Sequence, residues 1–386
     1  MKILISIDSF KGSLSSIEAA NAIKKGILKV EKNAKVKILP LADGGEGTVD
    51  ALVQGMNGTK ETIEVTGPII KKVNATYGLL KDTNTAIIEI AQASGLTLVP
   101  TELRNPLYTT TYGVGEIIKG AINKGCRNFI VGLGGSATND AGVGMLQALG
   151  FEFYDKNNKL VDLGGKVLNK IRHIKIDNRL KELDECNFKI ACDVNNPLFG
   201  ENGAGYIYGP QKGATREIIE ELDNGLRNFS NVVKNDLDKD IANVEGVGAA
   251  GGLGFAFLGF LNSKLESGIK IILEEIKLED ELKDVDFVIT GEGRLDKQTA
   301  MGKAPIGVAK LAKKYGIKVI GLAGATTEDA VKCNEDGIDA YFSIVNRAMT
   351  IEDAMDKKTA SNNMTATTIQ IFNLITSVQQ LGNKSY

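Results

Sequence analysis

The chain has 386 residues, 43% hydrophobic and 24% charged, with a formal net charge of −2. At roughly 100–200 residues per domain this is the length of a two-domain globular protein with a sizeable core. The near-neutral balance, without a long basic run, argues against nucleic acid or an anionic membrane as partner.

No apolar run reaches the ~18 residues of a membrane span. "MKILISIDSF" lacks the apolar region and cleavage site of a signal peptide and reads as a first core strand, so a cytoplasmic protein is expected. Cys126, Cys186, Cys192 and Cys333 form no CxxC pair and read as free thiols. His173 is the only histidine, which excludes a multi-histidine zinc site and any Ser-His-Asp triad built on another histidine. The chemistry must come from carboxylates, lysine, arginine, amides, hydroxyls and backbone.

"KILISI" is the first strand. Ile17, Ala20, Ile23, Ile27 and Val30 then recur at helical spacing over 16–30, with Ser15 and Glu18 placed as a capping box. "KVKILP" is a second strand, so the chain begins with a βαβ unit and a parallel sheet. Near residue 60 the rhythm changes. Two strand-like runs flank Gly67-Pro68 with no room for a crossover helix, which predicts antiparallel pairing. "TAIIEIA", "RNFIVGL", "FEFYD" and "FKIACDV" are further strands, with helices at about 113–124 and 139–149. The βα rhythm returns with "VDFVIT", a helix over about 303–314, "IKVIGLAG", "DAYFSI" and a last helix over about 364–380. The pattern predicts an α/β protein of two domains. A discontinuous parallel-sheet domain comprises 1–65 and 270–386, and a mixed α/β domain over 66–269 is inserted in it. The segment 111–149 fits either.

The strand ends share a composition. "DSFKGSLS" brings Asp8 and Lys11; "ADGGEGT" brings Asp43 and Glu46. "GLGGSATNDAGVG" brings Ser136, Thr138, Asn139 and Asp140, and "CDVNNPLFG" brings Asp193 and Asn195. "GPQKGAT" holds Lys212, and "TGEGRLDKQTAMGKAP" holds Gly291, Glu292, Gly293, Arg294, Asp296 and Lys303. Loops at the carboxyl ends of parallel strands converge on one crevice. Glycines there admit a ligand to the backbone, and carboxylates hold Mg²⁺ together with substrate phosphates. Lysine and arginine neutralise anionic oxygens. These are the parts of phosphoryl transfer, which needs no histidine. Any one such loop is an ordinary turn; the recurrence carries the reading.

Two other motifs compete. "QTAMGKAP" carries Gly302-Lys303, but Lys297 stands where a P-loop needs its first glycine and Ala304 where it needs Ser or Thr. "GLGGSA" fits the dinucleotide fingerprint GxGxxA after a strand, with Asp155 about 20 residues on, and would suit an NAD-linked oxidoreductase. Asn139-Asp140 would set a carboxylate where a pyrophosphate must lie. "GVGAAGGLG" also fits a glycine fingerprint, but no strand precedes it.

Taken together, "DSFKGSLS", "ADGGEGT", "ASGL", "GLGGSATNDAGVGMLQALG", "CDVNNPLFG", "GPQKGA", "GAAGGLG" and "TGEGRLDKQTAMGKAPIGVA" resemble the glycerate kinase type-1 family, in order, from residue 8 to 309. The tail after about 325 is least family-like and is read as packing. The resemblance implies one Rossmann- or flavodoxin-like domain and one inserted mixed α/β domain. It implies ATP and Mg²⁺, and D-glycerate as the acceptor. The product is expected to be 2-phospho-D-glycerate, with 3-phosphorylation as the alternative regiochemistry. On that footing Asp193 is the candidate base and Asn195 orients the hydroxyl. Lys11 neutralises the γ-phosphate, and Asp8 and Asp43 hold the metal, with Asp296 a further acid. Ser136, Thr138, Asn139, Asp140 and Arg294 receive the substrate. Lys212, Lys303 and Gly291, Glu292 and Gly293 meet ATP. A monomer or homodimer is expected, with small-molecule ligands only.

Overall fold

The structure is a computed structural model and describes residues 1–382. Its strands are β1 (Lys2–Ile5), β2 (Lys35–Ile38), β3 (Thr59–Thr66), β4 (Lys72–Leu80), β5 (Thr85–Glu89), β6 (Asn128–Gly132) and β7 (Glu152–Tyr154). Then follow β8 (His173–Lys175), β9 (Asn187–Ala191), β10 (Ser263–Glu266), β11 (Phe287–Leu295), β12 (Lys318–Thr326) and β13 (Ala340–Ser343). Two compact units emerge. One comprises Met1–Asp43, Asp50–Met56 and the chain from Ile269 onward; the other comprises Gly44–Val49 and Asn57–Gly268. The segment 57–65, expected with the first domain, lies in the second unit. Its β3 is laddered antiparallel to β4, from Thr59 opposite Leu79 to Thr66 opposite Lys72. The segment 111–149 lies wholly in the second unit.

The first unit's sheet has the order β13-β12-β11-β1-β2, and every pair is parallel. Relabelled by position along this unit, that is the flavodoxin-like order, and it reverses direction between β1 and β11. Both faces of such a sheet are covered, so the strands read as apolar runs: Ile3, Leu4, Ile5, Val288 and Ile289 are buried. The first helix, Ser16–Val30, forms where the capping box places it. Ser15 Oγ accepts from Glu18 N at 3.2 Å, and Glu18 Oε2 accepts from Ser15 N at 2.8 Å. Its buried face includes Ala19, Ala20, Ile23 and Ile27; full burial of each isoleucine stabilises by about 1.5–3 kcal/mol. That face packs on the last helix, Lys357–Gly382, where Thr365 Oγ1 donates to Ala22 O at 3.0 Å. The last helix starts earlier than periodicity predicts because Asp356 Oδ1 accepts from Thr359 N at 2.9 Å.

The second unit's sheet is mixed, in the order β10-β9-β6-β5-β4-β3. β3, β4 and β5 are antiparallel neighbours, so the expected hairpin around Gly67-Pro68 is present; β5, β6, β9 and β10 run parallel. Phe129 and Phe188 stack at 4.6 Å between ring centroids in its core. β7 and β8 form a separate antiparallel pair. The helix expected at 139–149 is only Val143–Ala148, because Ala141 (φ 50°) and Gly142 (φ 71°) take left-handed conformations ahead of it. Among the described residues no helix is long and apolar enough to cross a membrane.

Candidate active site

In the first unit a cavity of about 860 Å³ opens over the carboxyl ends of all five strands. Its walls carry Asp8 and Lys11 beyond β1, Asp43 beyond β2, Glu292 and Arg294 on β11, and Asp296 and Lys303 just after it. The crevice thus sits at the switch point between β1 and β11, where open α/β sheets bind ligands.

Asp8 is held from below. Its backbone N donates to Gly291 O at 2.9 Å, and Ser9 N donates to its Oδ1 at 2.6 Å. Gly291 has no alternative here, because a Cβ would stand 1.8 Å from Leu322 O on β12. Asp8 is 3% exposed. Burial first, then repulsion from Asp43 and Glu292, pushes its carboxyl up to about 7. Burial likewise raises the Glu292 carboxyl, although Thr299 Oγ1 donates to it and Lys303 lies nearby. Lys11 Nζ pairs with Asp43 Oδ2 at 3.3 Å. Partial burial lowers the Lys11 ammonium, but Asp43, then Asp8 and Glu292, hold it above the usual lysine range.

Among the described residues no group of three or more His, Cys, Asp or Glu side chains stands ready to hold a metal alone. Mg²⁺ does not require one, since it binds through one or two carboxylates plus waters and phosphates. Asp8 and Asp43, both on the wall of this cavity, fit that donor set. Ser13 Oγ, buried in the same cavity without a hydrogen-bond partner among the described residues, is a spare donor beside Lys11 for an anionic oxygen.

Not every expected group is free for ligand. Asp296 caps the short helix Lys297–Ala300, its Oδ1 accepting from Gln298 N at 2.8 Å and Thr299 N at 3.2 Å. Its Oδ2 pairs with Arg294 Nε at 3.3 Å. The structure makes it a cap that aims Arg294 rather than an uncommitted acid. The tail after residue 325, read as packing, in fact supplies part of this wall: Thr326, Ser343, Ile344, Val345, Met349 and Met355.

The second unit repeats the pattern on its own parallel strands. Beyond β6 the 133–142 loop is built around two buried charges. Lys212, 2% exposed, donates from Nζ to Ser136 Oγ at 2.9 Å and to Thr138 O at 2.7 Å. Burial pushes its ammonium down to about 7, with Asp140 pulling the other way. Lys212 was expected beside Lys303 with the ATP groups; it lies in the second unit, inside the fold and under the Ser136 loop. Asp140 was expected to meet substrate but is fully buried. Its carboxylate accepts from Thr111 N at 2.8 Å, Thr111 Oγ1 at 2.9 Å, Gly142 N at 3.1 Å and Gly144 N at 3.3 Å. It folds the turn instead. Thr138 Oγ1 and both polar atoms of Asn139 are buried without hydrogen-bond partners among the described residues, an expensive state for polar groups. The "GAAGGLG" loop presses on this turn. Gly251 (φ 71°) is close enough that a Cβ would sit 2.0 Å from Thr138 O.

Beyond β9, Asp193 is exposed and its Oδ1 accepts from Gly268 N at 3.0 Å; Asn195 is exposed beside it. Sequence reading passed over Glu89 at the end of β5, a buried carboxylate that accepts from Val49 N at 2.8 Å. The signal was the lone acid inside "TAIIEIA". The dinucleotide reading fails on topology. The "GLGGSA" turn opens no helix until Val143, and Asp155 closes the tight 155–159 turn after β7 by accepting from Asn157 N and Lys159 N.

Acids suited to a cation, lysines suited to phosphate and a switch-point crevice define an α/β phosphotransferase that acts on small molecules. The chain matches the model of the glycerate kinase family over residues 3–376 and belongs to that family. It is 47% identical to a glycerate kinase of Halalkalibacterium halodurans over 358 residues, 92% of this chain and 93% of that one. It is 48% identical to the glycerate 2-kinase of Escherichia coli K12 over 354 residues, with the same shares covered. A crystal structure from Salmonella typhimurium LT2 assigned to glycerate kinase 2 is similar with a TM-score of 0.91 at 46% identity, covering 98% of this chain and 99% of that one.

Proposed function

We propose that this enzyme transfers the γ-phosphoryl group of ATP to D-glycerate in the cytoplasm, giving 2-phospho-D-glycerate and using Mg²⁺. The observation that carries the reading is the first unit's crevice, where Asp8, Asp43 and Glu292 surround Lys11 at the β1–β11 switch point. The regiochemistry follows the 2-kinase name of the Escherichia coli relative. The four free cysteines accord with a reducing compartment.

Asp8 and Asp43 would hold Mg²⁺, which when bound spreads the charge of the β- and γ-phosphates. Lys11 neutralises the transferring phosphoryl oxygens, and Lys303 with the Gly291–Gly293 backbone binds the remaining phosphates. Glu292 supports this set through Thr299. The second unit is assigned the acceptor. Ser136, Thr138 and Asn139 take up the glycerate carboxylate and hydroxyls, while Arg294, in the first unit's cavity, supplies a cation for phosphate oxygens there. Asp193 accepts the proton of the attacking hydroxyl, with its other carboxylate contact fixed by Gly268 N, and Asn195 orients that hydroxyl.

³¹P NMR of the product from D-glycerate, ATP and Mg²⁺ tests the reading. A phosphomonoester coupled to the C2 proton is expected. A signal coupled to the C3 protons refutes the regiochemistry, and unchanged ATP refutes the activity.

A further inference from the structure

The first unit's crevice has two unlike ends, and the proposed reaction so far uses only one. Away from the carboxylates and lysines, the wall is made by Ile344, Val345, Met349, Ile351 and Met355. Ile351 is 78% exposed and Met355 41% exposed, a cost for large apolar side chains that a bound apolar surface removes. The polar groups at this end are committed internally. Ser343 Oγ donates to Gly324 O at 3.3 Å and accepts from Val345 N at 3.1 Å; Thr350 Oγ1 accepts from Asp353 N at 3.1 Å. The two ends adjoin. A Cβ on Gly12 would meet Met355 Cε at 2.8 Å, so the methionine methyl lies against the turn that carries Lys11.

Glycerate has no apolar part and has no use for such a wall. A nucleoside triphosphate has this bipolarity: a flat heteroaromatic ring at one end and a polyanion at the other. We propose that Ile344, Val345, Met349, Ile351 and Met355 form the slot for the nucleotide base, with the triphosphate running past Gly12 to Lys11. This rests on ATP being the phosphoryl donor. Thioether and aliphatic side chains grip a ring face by dispersion, with methionine adapting to its outline. The cavity, about 860 Å³, is within the range of small-molecule sites.

The chain contains no tryptophan, so Ile351→Trp creates a single reporter at the mouth of the slot. Adding the β,γ-imido analogue of ATP to this variant should quench or shift the indole emission saturably, while inorganic tripolyphosphate leaves it unchanged. In parallel, Met355→Glu should raise KM for ATP about tenfold or more with KM for glycerate within about twofold, a loss of some 1.4 kcal/mol confined to nucleotide binding. An indole signal indifferent to the analogue, or equal responses to analogue and tripolyphosphate, overturns the slot, as does an unchanged KM for ATP. The wild-type ³¹P assay separates the two claims. Product formation with a silent indole leaves the kinase standing and removes the slot. A responsive indole without product does the reverse.

Discussion

Replacing Lys212 by Met removes the ammonium from the interior of the second unit, and the effect on stability has a calculable pH dependence. In the folded chain the group's pKa is lowered from the ordinary 10.5 to about 7. Between those values the unfolded chain holds a proton that the folded chain has released. Unfolding therefore takes up protons, and wild-type stability rises with pH across that window. Below about pH 7 both states are protonated and the contribution is flat. At about 1.4 kcal/mol per pH unit, wild type should gain about 3 kcal/mol relative to Lys212→Met between pH 7 and 9.5. The variant also strands Ser136 Oγ and Thr138 O, at a cost of about 1–3 kcal/mol each. That cost is independent of pH, so it displaces the difference curve without tilting it. Urea unfolding of both proteins at half-unit pH steps gives the curve directly. Other titrating groups are shared and cancel. A difference constant to within about 0.5 kcal/mol over the window refutes the claim that this lysine is held near neutrality by burial.

Three further outcomes follow from the same groups. Lys11→Met should lower kcat by about 10²–10³ at saturating ATP, as loss of a charge that stabilises the transferring phosphoryl group; undiminished turnover retires that role. Asp193→Asn should lower kcat by about 10²–10⁴ with ATP affinity little changed, and a near wild-type kcat removes it as the base. Asp140→Ala should destabilise by about 3 kcal/mol or more, because Thr111, Gly142 and Gly144 lose a buried acceptor; a loss under about 1 kcal/mol by urea unfolding contradicts its place in the turn.

The parallel sheet of the first unit was legible because its strands are short apolar runs separated by periodic helices, and Ser15 and Glu18 announced the first helix to the residue. The grouping of Asp8, Asp43, Asp296 and Lys11 about one cavity was legible because strand-end loops of a parallel sheet must converge, but Asp193, expected with them, does not line it. What a carboxylate does once there was not legible. Asp140 and Asp296 look like Asp8 on paper, but one is enclosed by Thr111 and two glycine amides and the other closes a helix end. Those partners are set by tertiary contacts and by the left-handed turn at Ala141-Gly142, which also cut short the helix expected from 139. Lys212 offered no clue to its burial, since a lysine between Gln211 and Gly213 reads as solvated. The wall from Ile344 to Met355 was missed for the opposite reason. It lacks charges and glycines, so nothing marked it as more than packing.

The first unit's sheet joins strands made at opposite ends of the chain. β1 lies between β2, its near neighbour in sequence, and β11, which is translated only after the entire second unit. During synthesis the opening β1–helix–β2 segment therefore waits with one hydrogen-bonding edge bare while the ribosome finishes the insertion. The second unit, nearly continuous in sequence, can assemble first. Once it has, closing the long-range β1–β11 pairing costs little more entropy than a shorter loop would, since that cost grows only with the logarithm of length.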